Sequence, residues 1–358
     1  MKVLVTGAHF TPALAVIEEL KKNYHAEIVY VGRKTTLEGD ETPSVESQIL
    51  PKLGVKFVSI IAGRLQRTFT IYTIPSLLKI PIGFLQALFI ILGEKPDVIL
   101  SFGGYVAVPI VFVGWLFSIP IIIHEQTLVS GLANKVSSIL ADKIALSFPS
   151  KRISKEKTIL TGNPIRKEII AVKPCRHKGI NILITGGNQG SHVINLAVEQ
   201  SLNKLTKLAS IIHVTGDNRF HDFERLEKFT SESYMVKKWI GKQWGSILKK
   251  VDLVVSRAGI NTLTELAYLG IPALVIPLPY LYQDEQNKNA LLFEKLGLVK
   301  ILPQSTLSAD ILFKNVKIML NDLNHLTAKA KLARRVVCSD AAKRLALETV
   351  LLVKNSKN

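Results

Sequence analysis

One stretch of this chain is written twice. Asp97-Val98-Ile99-Leu100-Ser101 is followed by Gly104, a helix-length apolar run, Ile119-Pro120 and the apolar Ile121-Ile122-Ile123. Asp252-Leu253-Val254-Val255-Ser256 is followed by Gly259, another helix-length run, Ile271-Pro272 and a further apolar stretch. In both, serine stands four residues after aspartate and glycine three residues after serine. A short run of branched apolar residues bounded by turn residues reads as a strand buried on both faces, the usual state in a parallel sheet. Strand, glycine turn, helix and strand is the right-handed parallel unit. The openings also match, Val3-Leu4-Val5-Thr6-Gly7 against Ile182-Leu183-Ile184-Thr185-Gly186. The repeat predicts an α/β chain of two Rossmann-like, doubly wound domains facing each other across a cleft.

Length agrees, because 358 residues exceed what one core ordinarily holds. The interruption of pattern between Thr161 and Lys178, with Asn163-Pro164 and Pro174, reads as the linker. The expected boundaries are 1–162 for the first domain and 163–340 for the second. The last helix, within 341–358, is expected to pack back onto the first domain.

A formal charge of +18 asks for an acidic partner, and nucleic acid and an anionic membrane surface are the usual two. Nucleic-acid binding predicts a basic stripe with interleaved aromatics or a recognition helix. The lysines are instead spread along the whole chain, so no nucleic acid is expected; an inert basic surface stays open beside the membrane. Two cysteines far apart, Cys175 and Cys338, give neither a disulfide framework nor a zinc motif and fit a reducing cytoplasm. The amino terminus runs directly into an apolar strand, without the pattern of a secretory leader.

Val98 to Ile123 carries no charge and is long enough to cross a bilayer. Its punctuation predicts otherwise: a strand at Val98–Leu100, a turn at Ser101–Gly104, a buried helix at Val106–Phe117 and, after Pro120, a second strand. The first half is longer than the second between its opening glycine and its repeat serine. The surplus coincides with Ile71–Leu92, an apolar passage holding Lys79 and preceded by Arg64 and Arg67. Apolar residues flanked by basic ones suit docking on an anionic bilayer surface; a further buried helix is the other reading.

Four clusters carry candidate chemistry. Gly186-Gly187-Asn188-Gln189-Gly190-Ser191 joins a strand to a helix, where glycines admit a phosphate close to free backbone N–H groups. It is neither a Walker loop nor a dinucleotide fingerprint, which disfavours a nicotinamide enzyme. Ser256 to Glu265 again ends a strand and opens a helix. Thr262 and Glu265 are spaced as a capping box, or Glu265 is a ligand for a ribose. His124-Glu125-Gln126 follows the Ile121–Ile123 strand, at the edge where open α/β sheets bind ligands, and its groups suit acid–base work. Asp284 to Ala290 is a polar helix start after Pro277-Leu278-Pro279, with donors and acceptors for sugar hydroxyls. No Asp-x-Asp pair occurs, so no metal and no cofactor are expected, and a helix terminus is left to stabilise the diphosphate charge.

In this order and combination the motifs resemble the MurG family of bacterial GT-B glycosyltransferases, over nearly the full length. The resemblance rests on Ala8-His9 with Pro12 to Ala15, Phe102 to Tyr105, His124 to Gln126 and Gly131-Leu132-Ala133-Asn134. It continues through Gly162 to Arg166, the Gly186 loop, Ser256 to Glu265 and Asp284 to Ala290. It implies transfer, with inversion, of N-acetylglucosamine from UDP-N-acetylglucosamine to an undecaprenyl-linked muramoyl-peptide, in the peptidoglycan pathway. The implied place is peripheral, on the cytoplasmic face of the cell membrane, against its anionic inner surface. For the donor it implies Thr127, Arg166, Asn188, Ile240, Gln286 and Asn289. Also on the donor side are Gly259, Ile260, Asn261, Thr262, Leu263 and Thr264 at the diphosphate, with Glu265 on the ribose. For the acceptor it implies Gly7, His9, Gly103, Gly104 and Tyr105, with His9 as base and Glu125 as second candidate. Three departures stand out. The family's glycine-rich first loop is reduced to Thr6-Gly7-Ala8-His9; its asparagine after His-Glu-Gln is Thr127; its serine in the Gly186 loop is Asn188. A related transferase with another lipid acceptor, such as a diacylglycerol, and a non-catalytic UDP-sugar-binding scaffold remain open on the sequence.

Overall fold

A computed structural model describes residues 1–35, 43–63, 73–149, 156–173, 175, 177–187, 190–241, 243–279 and 282–356, with backbone only for 73–78 and 282. Arg64, Arg67 and Asn188 lie outside these residues. The chain divides into two compact units, Met1–Arg166 with Cys338–Asn358, and Lys167–Val337.

In the first unit, β1 (Lys2–Thr6), α1 (Phe10–Tyr24), β2 (Glu27–Gly32), α2 (Val45–Ile49) and β3 (Lys56–Ser59) form one half. Then follow α3 (Thr73–Glu94), β4 (Val98–Ser101), α4 (Ala107–Leu116), β5 (Ile121–Glu125), α5 (Leu132–Leu140), β6 (Lys143–Leu146) and β7 (Thr158–Leu160). The strands pair in parallel in the order β3-β2-β1-β4-β5-β6-β7. All four residues of β4 and all five of β5 are buried, which is why neither strand alternates in sequence.

The second unit runs α6 (Lys167–Ile170), β8 (Asn181–Thr185), α7 (His192–Leu205), β9 (Ser210–Val214), α8 (Asp222–Leu226) and β10 (Tyr234–Lys237). It continues with α9 (Trp244–Leu248), β11 (Leu253–Ser256), α10 (Ile260–Leu269), β12 (Ala273–Val275) and α11 (Glu285–Lys295). It ends with β13 (Val299–Ile301), α12 (Ala309–Asn321) and α13 (Leu323–Leu332). Its parallel sheet is ordered β10-β9-β8-β11-β12-β13. In each sheet the winding reverses beside the first strand, between β1 and β4 and between β8 and β11. The carboxyl ends of those strands are where an open α/β sheet leaves room for a ligand.

The last helix, α14 (Ala341–Ser356), belongs to the first unit. Its Ala342, Leu345, Ala346, Leu352 and Val353 join Val3, Val5, Ala13, Val16 and Leu20 in one core. Lys143 and Glu348, 2.8 Å apart, tie its outer side to the sheet.

The uncharged stretch after Asp97 is strand, helix and strand, and no helix among the described residues is long and apolar enough to cross a membrane. The expected buried helix at Val106–Phe117 needs correcting. Residues 107–116 are helical, with Ala107, Ile110, Val111, Val113 and Gly114 buried. Trp115, Leu116 and Phe117 are exposed, Trp115 at 48%. A helix packed on one face of a sheet buries one stripe, and an apolar run masks which stripe that is. The Ile71–Leu92 passage falls largely in α3. There Ala87 and Ile91 are buried while Leu85 and Phe89 are 57% and 71% exposed.

Candidate active site

In the first unit the loop after β1 and the loop after β4 are pressed together. Ala8 N–H donates to the Gly103 carbonyl at 2.9 Å, and the Tyr30 hydroxyl donates to the Gly7 carbonyl at 2.9 Å. Gly103 and Gly104 have φ of 71° and 82°, a conformation side chains resist. A Cβ on Gly103 would collide with the Asn134 amide, and one on Gly104 would lie 2.7 Å from the Ala8 Cβ. The approach therefore needs both glycines. Tyr105 follows, its hydroxyl accepting from the Arg33 guanidinium at 2.9 Å, so a cation stands beside the turn.

His9 is the N-cap of α1 and makes no side-chain cap bond. Burial lowers its pKa from the ordinary value, and the Glu125 carboxylate partly offsets this. The imidazole is thus neutral at pH 7 and able to accept a proton. Glu125, at the end of β5, is buried. Its Oε2 accepts from Asn134 Nδ2 at 2.8 Å, and its Oε1 accepts from the Thr127 N–H at 3.2 Å. The Thr127 hydroxyl lies 3.0 Å from the same Oε1 and 2.8 Å from the Val129 carbonyl. These donors hold the Glu125 carboxylate in place, close enough for its charge to act on His9.

His124 is fully buried and its Nε2–H donates to the Gly162 carbonyl at 3.0 Å. Burial draws its pKa down to about 4, with a smaller lowering from His9. It is a neutral strut between β5 and the chain leaving the unit.

In the second unit the Gly186 turn precedes α7, and the Gly187 N–H donates to Thr185 Oγ1 at 3.1 Å. The N-cap of α10 is Gly259, in extended conformation and without a side-chain cap. This corrects the capping-box reading: the helix begins at Ile260, so Thr262 and Glu265 are both inside it. Glu265 is buried, and its Oε2 accepts the Trp244 indole N–H at 3.0 Å. Leu263 and Thr264 turn their side chains into the unit, the Thr264 hydroxyl donating to the Ile260 carbonyl at 2.8 Å. What the start of α10 offers a ligand is backbone N–H and the positive end of its dipole, with open space before the Gly259 Cα. Asn261 and Thr262 are half-buried there.

Beside that start lies Arg257, which the sequence reading passed over although it stands inside the motif. Its guanidinium donates to Ser191 Oγ at 2.7 Å and to the Ile276 carbonyl at 3.0 Å. Burial draws its pKa down to about 10. The cation joins the Gly186 turn to the end of β12 through neutral acceptors and adds positive potential between the two loops. Trp244, Arg33 and Asn134 were also given no role from sequence. Asn134 stands in a quoted motif; for the other two only the fold supplies the neighbour.

Of the remaining candidates, Ile240 is buried in the loop between β10 and α9, and Gln286 accepts the Leu278 N–H at 2.9 Å, bracing the loop after β12. Asn289 is fully buried, and both polar atoms of its amide lack a hydrogen-bond partner among the described residues. Such an amide costs about 1–3 kcal/mol, which suits a site that meets a polar ligand. Arg166 ends the first unit's main segment. The structure thus gathers Gly7, His9, Gly103, Gly104, Tyr105, Glu125 and Thr127 at one sheet edge. At the corresponding edge of the other sheet it gathers residues 259–265 with Gln286 and Asn289.

The glycosyltransferase family 28 N-terminal domain model matches residues 5–146, and the family 28 C-terminal domain model matches residues 181–345. The UDP-N-acetylglucosamine–N-acetylmuramyl-(pentapeptide) pyrophosphoryl-undecaprenol N-acetylglucosamine transferase of Clostridium botulinum strain Langeland is 35% identical over 338 residues, 90% of this chain and 92% of that protein. The transferase of the same name from Bacillus cytotoxicus is 32% identical over 363 residues, 96% of this chain and 97% of that protein. The crystal structure of Acinetobacter baumannii MurG covers 98% of this chain and 99% of its own, at 25% identity and a TM-score of 0.74. With both domains matched in order and relatives alike along nearly their whole length, the chain belongs to glycosyltransferase family 28.

Proposed function

We propose that the protein transfers N-acetylglucosamine from UDP-N-acetylglucosamine to an undecaprenyl-pyrophosphoryl muramoyl-peptide, making the disaccharide lipid used for peptidoglycan. The observation that carries this reading is the near full-length likeness to transferases of that name. Site chemistry supports it. His9 takes the proton of the acceptor hydroxyl as its oxygen attacks the anomeric carbon. The bond to the diphosphate breaks on the opposite face, giving inversion and releasing UDP. The start of α10 takes up the charge left on the diphosphate, within the potential of Arg257, and Glu265 holds the ribose hydroxyls. Glu125 steadies the imidazolium that His9 becomes. The turn at Gly103-Gly104, with Arg33 behind Tyr105, receives the acceptor diphosphate, making up for the short loop after β1.

A lipid acceptor requires contact with a bilayer. α3 and α4 pack against each other, Phe84 meeting Phe112 edge to face with ring centres 5.3 Å apart. Leu85 and Phe89 of α3, Trp115 and Leu116 of α4 with Phe117 after it, and Leu132, Val136 and Ile139 of α5 are all exposed, and the reading takes them as the docking face. Lys79 and Lys135 on the same helices favour an anionic leaflet. This face holds the protein peripherally on the cytoplasmic side of the cell membrane.

The test mixes the protein with radiolabelled UDP-N-acetylglucosamine and the lipid-linked muramoyl-peptide. A labelled disaccharide lipid is expected. Label moving only to a diacylglycerol would replace the acceptor, and nucleotide-sugar binding without transfer to either lipid would make the protein a scaffold.

A further inference from the structure

We infer that Trp244 is a positioning residue for the nucleotide, its indole N–H setting the angle at which the Glu265 carboxylate meets the ribose. The inference rests on the reading of Glu265 as the ribose ligand. Glutamate has three rotatable side-chain bonds, so a carboxylate that must receive two neighbouring hydroxyls gains from being held beforehand. Indole offers one donor and no acceptor, and here that donor lies 3.0 Å from Glu265 Oε2.

The fold fixes both partners through one short element. Trp244 opens α9, and the next residue, Gly245, sits so close to α6 that a Cβ there would lie 2.7 Å from the Glu168 carbonyl. Glu265 is carried on α10, which is pinned to the same α6 by the Tyr268 hydroxyl donating to the Ile170 carbonyl at 3.2 Å. Neither end of the Trp244–Glu265 bond can drift without moving α6. The segment also delivers Ile240, which is buried just before α9, so one stretch of chain serves two of the proposed donor contacts. A tryptophan whose N–H merely needed a partner would be satisfied by any buried acceptor; placement on this carboxylate is what ties it to the ribose.

The test compares UDP with 2′-deoxy-UDP by calorimetry, on wild type, Trp244→Phe, Glu265→Gln and the double variant. Trp244→Phe keeps an aromatic ring and removes the donor. UDP affinity is expected to fall about tenfold, the scale of one hydrogen bond to a charged group. Affinity for 2′-deoxy-UDP should fall less, narrowing the preference for the ribose form, and adding Trp244→Phe to Glu265→Gln should change little. Equal weakening of both nucleotides would overturn the positioning role while leaving the ribose reading intact. Unchanged UDP affinity in Glu265→Gln would overturn the ribose reading itself, and the inference with it. If Trp244→Phe melts early, the Trp244 indole proton is followed by NMR in folded wild type instead. UDP should shift it more than 2′-deoxy-UDP does, and equal shifts would overturn the inference.

Discussion

β4–α4 and β11–α10 carry the same frame, serine closing a buried strand and glycine three residues on. In the first, Gly103 and Gly104 take left-handed conformations and the turn is pressed onto the loop after β1. The helix that follows buries one stripe and turns Trp115, Leu116 and Phe117 to the outside. In the second, Gly259 is extended, the space before it is open, and residues 263–268 of α10 are all buried. The proposed function assigns the tight turn and apolar outer face to a lipid diphosphate arriving from a membrane. It assigns the open helix start and buried acidic residue to a water-soluble nucleotide. On that proposal the shared frame sets where a ligand goes, and what fills the turn sets which ligand it is.

The sharpest way to break this division is at His9. His9→Ala should lower turnover by about 10²–10⁴-fold, the range for a general base, with UDP affinity unchanged by calorimetry because the nucleotide is assigned to the other unit. Full turnover in that variant would move the base to Glu125. In the wild type the acid limb of kcat/KM should lie below the ordinary histidine pKa, since burial lowers that of His9. A limb at or above that value would remove His9 as the titrating base.

Each unit also has a histidine sealed in its interior, apart from the proposed base. His124 has its pKa drawn down to about 4; that of His213, held by Tyr234 and Asn195, is drawn down to about 3. Both are lowered from 6.5, so below pH 6.5 the unfolded chain binds protons that the folded chain refuses. Stability should fall as pH drops from 6.5 through 4, by on the order of 3 kcal/mol from each site. Chemical denaturation across this range checks it, and flat stability would show the rings to be hydrated.

On the nucleotide side, Glu265→Gln should weaken UDP by about 1.5–3 kcal/mol. Because Glu265 lies inside α10 rather than at its cap, no loss of a helix cap accompanies the change. A fall in UDP affinity matched by an equal fall for uridine lacking both ribose hydroxyls would sever Glu265 from the ribose.

The strand–turn–helix frames were legible because their apolar runs and glycines are local. The capping box was misread for the same local reason: Thr262 and Glu265 have the spacing, but α10 starts where the chain turns at Gly259, ahead of both. Trp244 under Glu265, Arg257 between two loops and Arg33 behind Tyr105 were not legible. Each pairing joins segments brought together by the sheet, and nothing in the spacing of tryptophan or arginine announces the neighbour. The outer stripe of α4 was hidden too, since an uncharged run carries no periodicity to tell inside from outside.

The smallest expected effect separates the two forces proposed at the membrane face. Leu85→Glu with Phe89→Glu should abolish sedimentation with anionic vesicles, since each exposed side chain gives up about 1.5–3 kcal/mol of apolar burial. That loss should be nearly independent of salt. Lys79→Gln and Lys135→Gln should each weaken binding by only about 1 kcal/mol. The difference should vanish at high salt, where the Debye length shrinks to about 3 Å. If the lysine variants bind like wild type at low salt while the glutamate variants fail, the surface is held by apolar insertion alone, and the protein's +18 charge has no part in choosing the leaflet. If the glutamate variants still sediment with the vesicles, the apolar outer face of α3 and α4 is not the docking surface, and the contrast with the buried α10 loses its functional meaning.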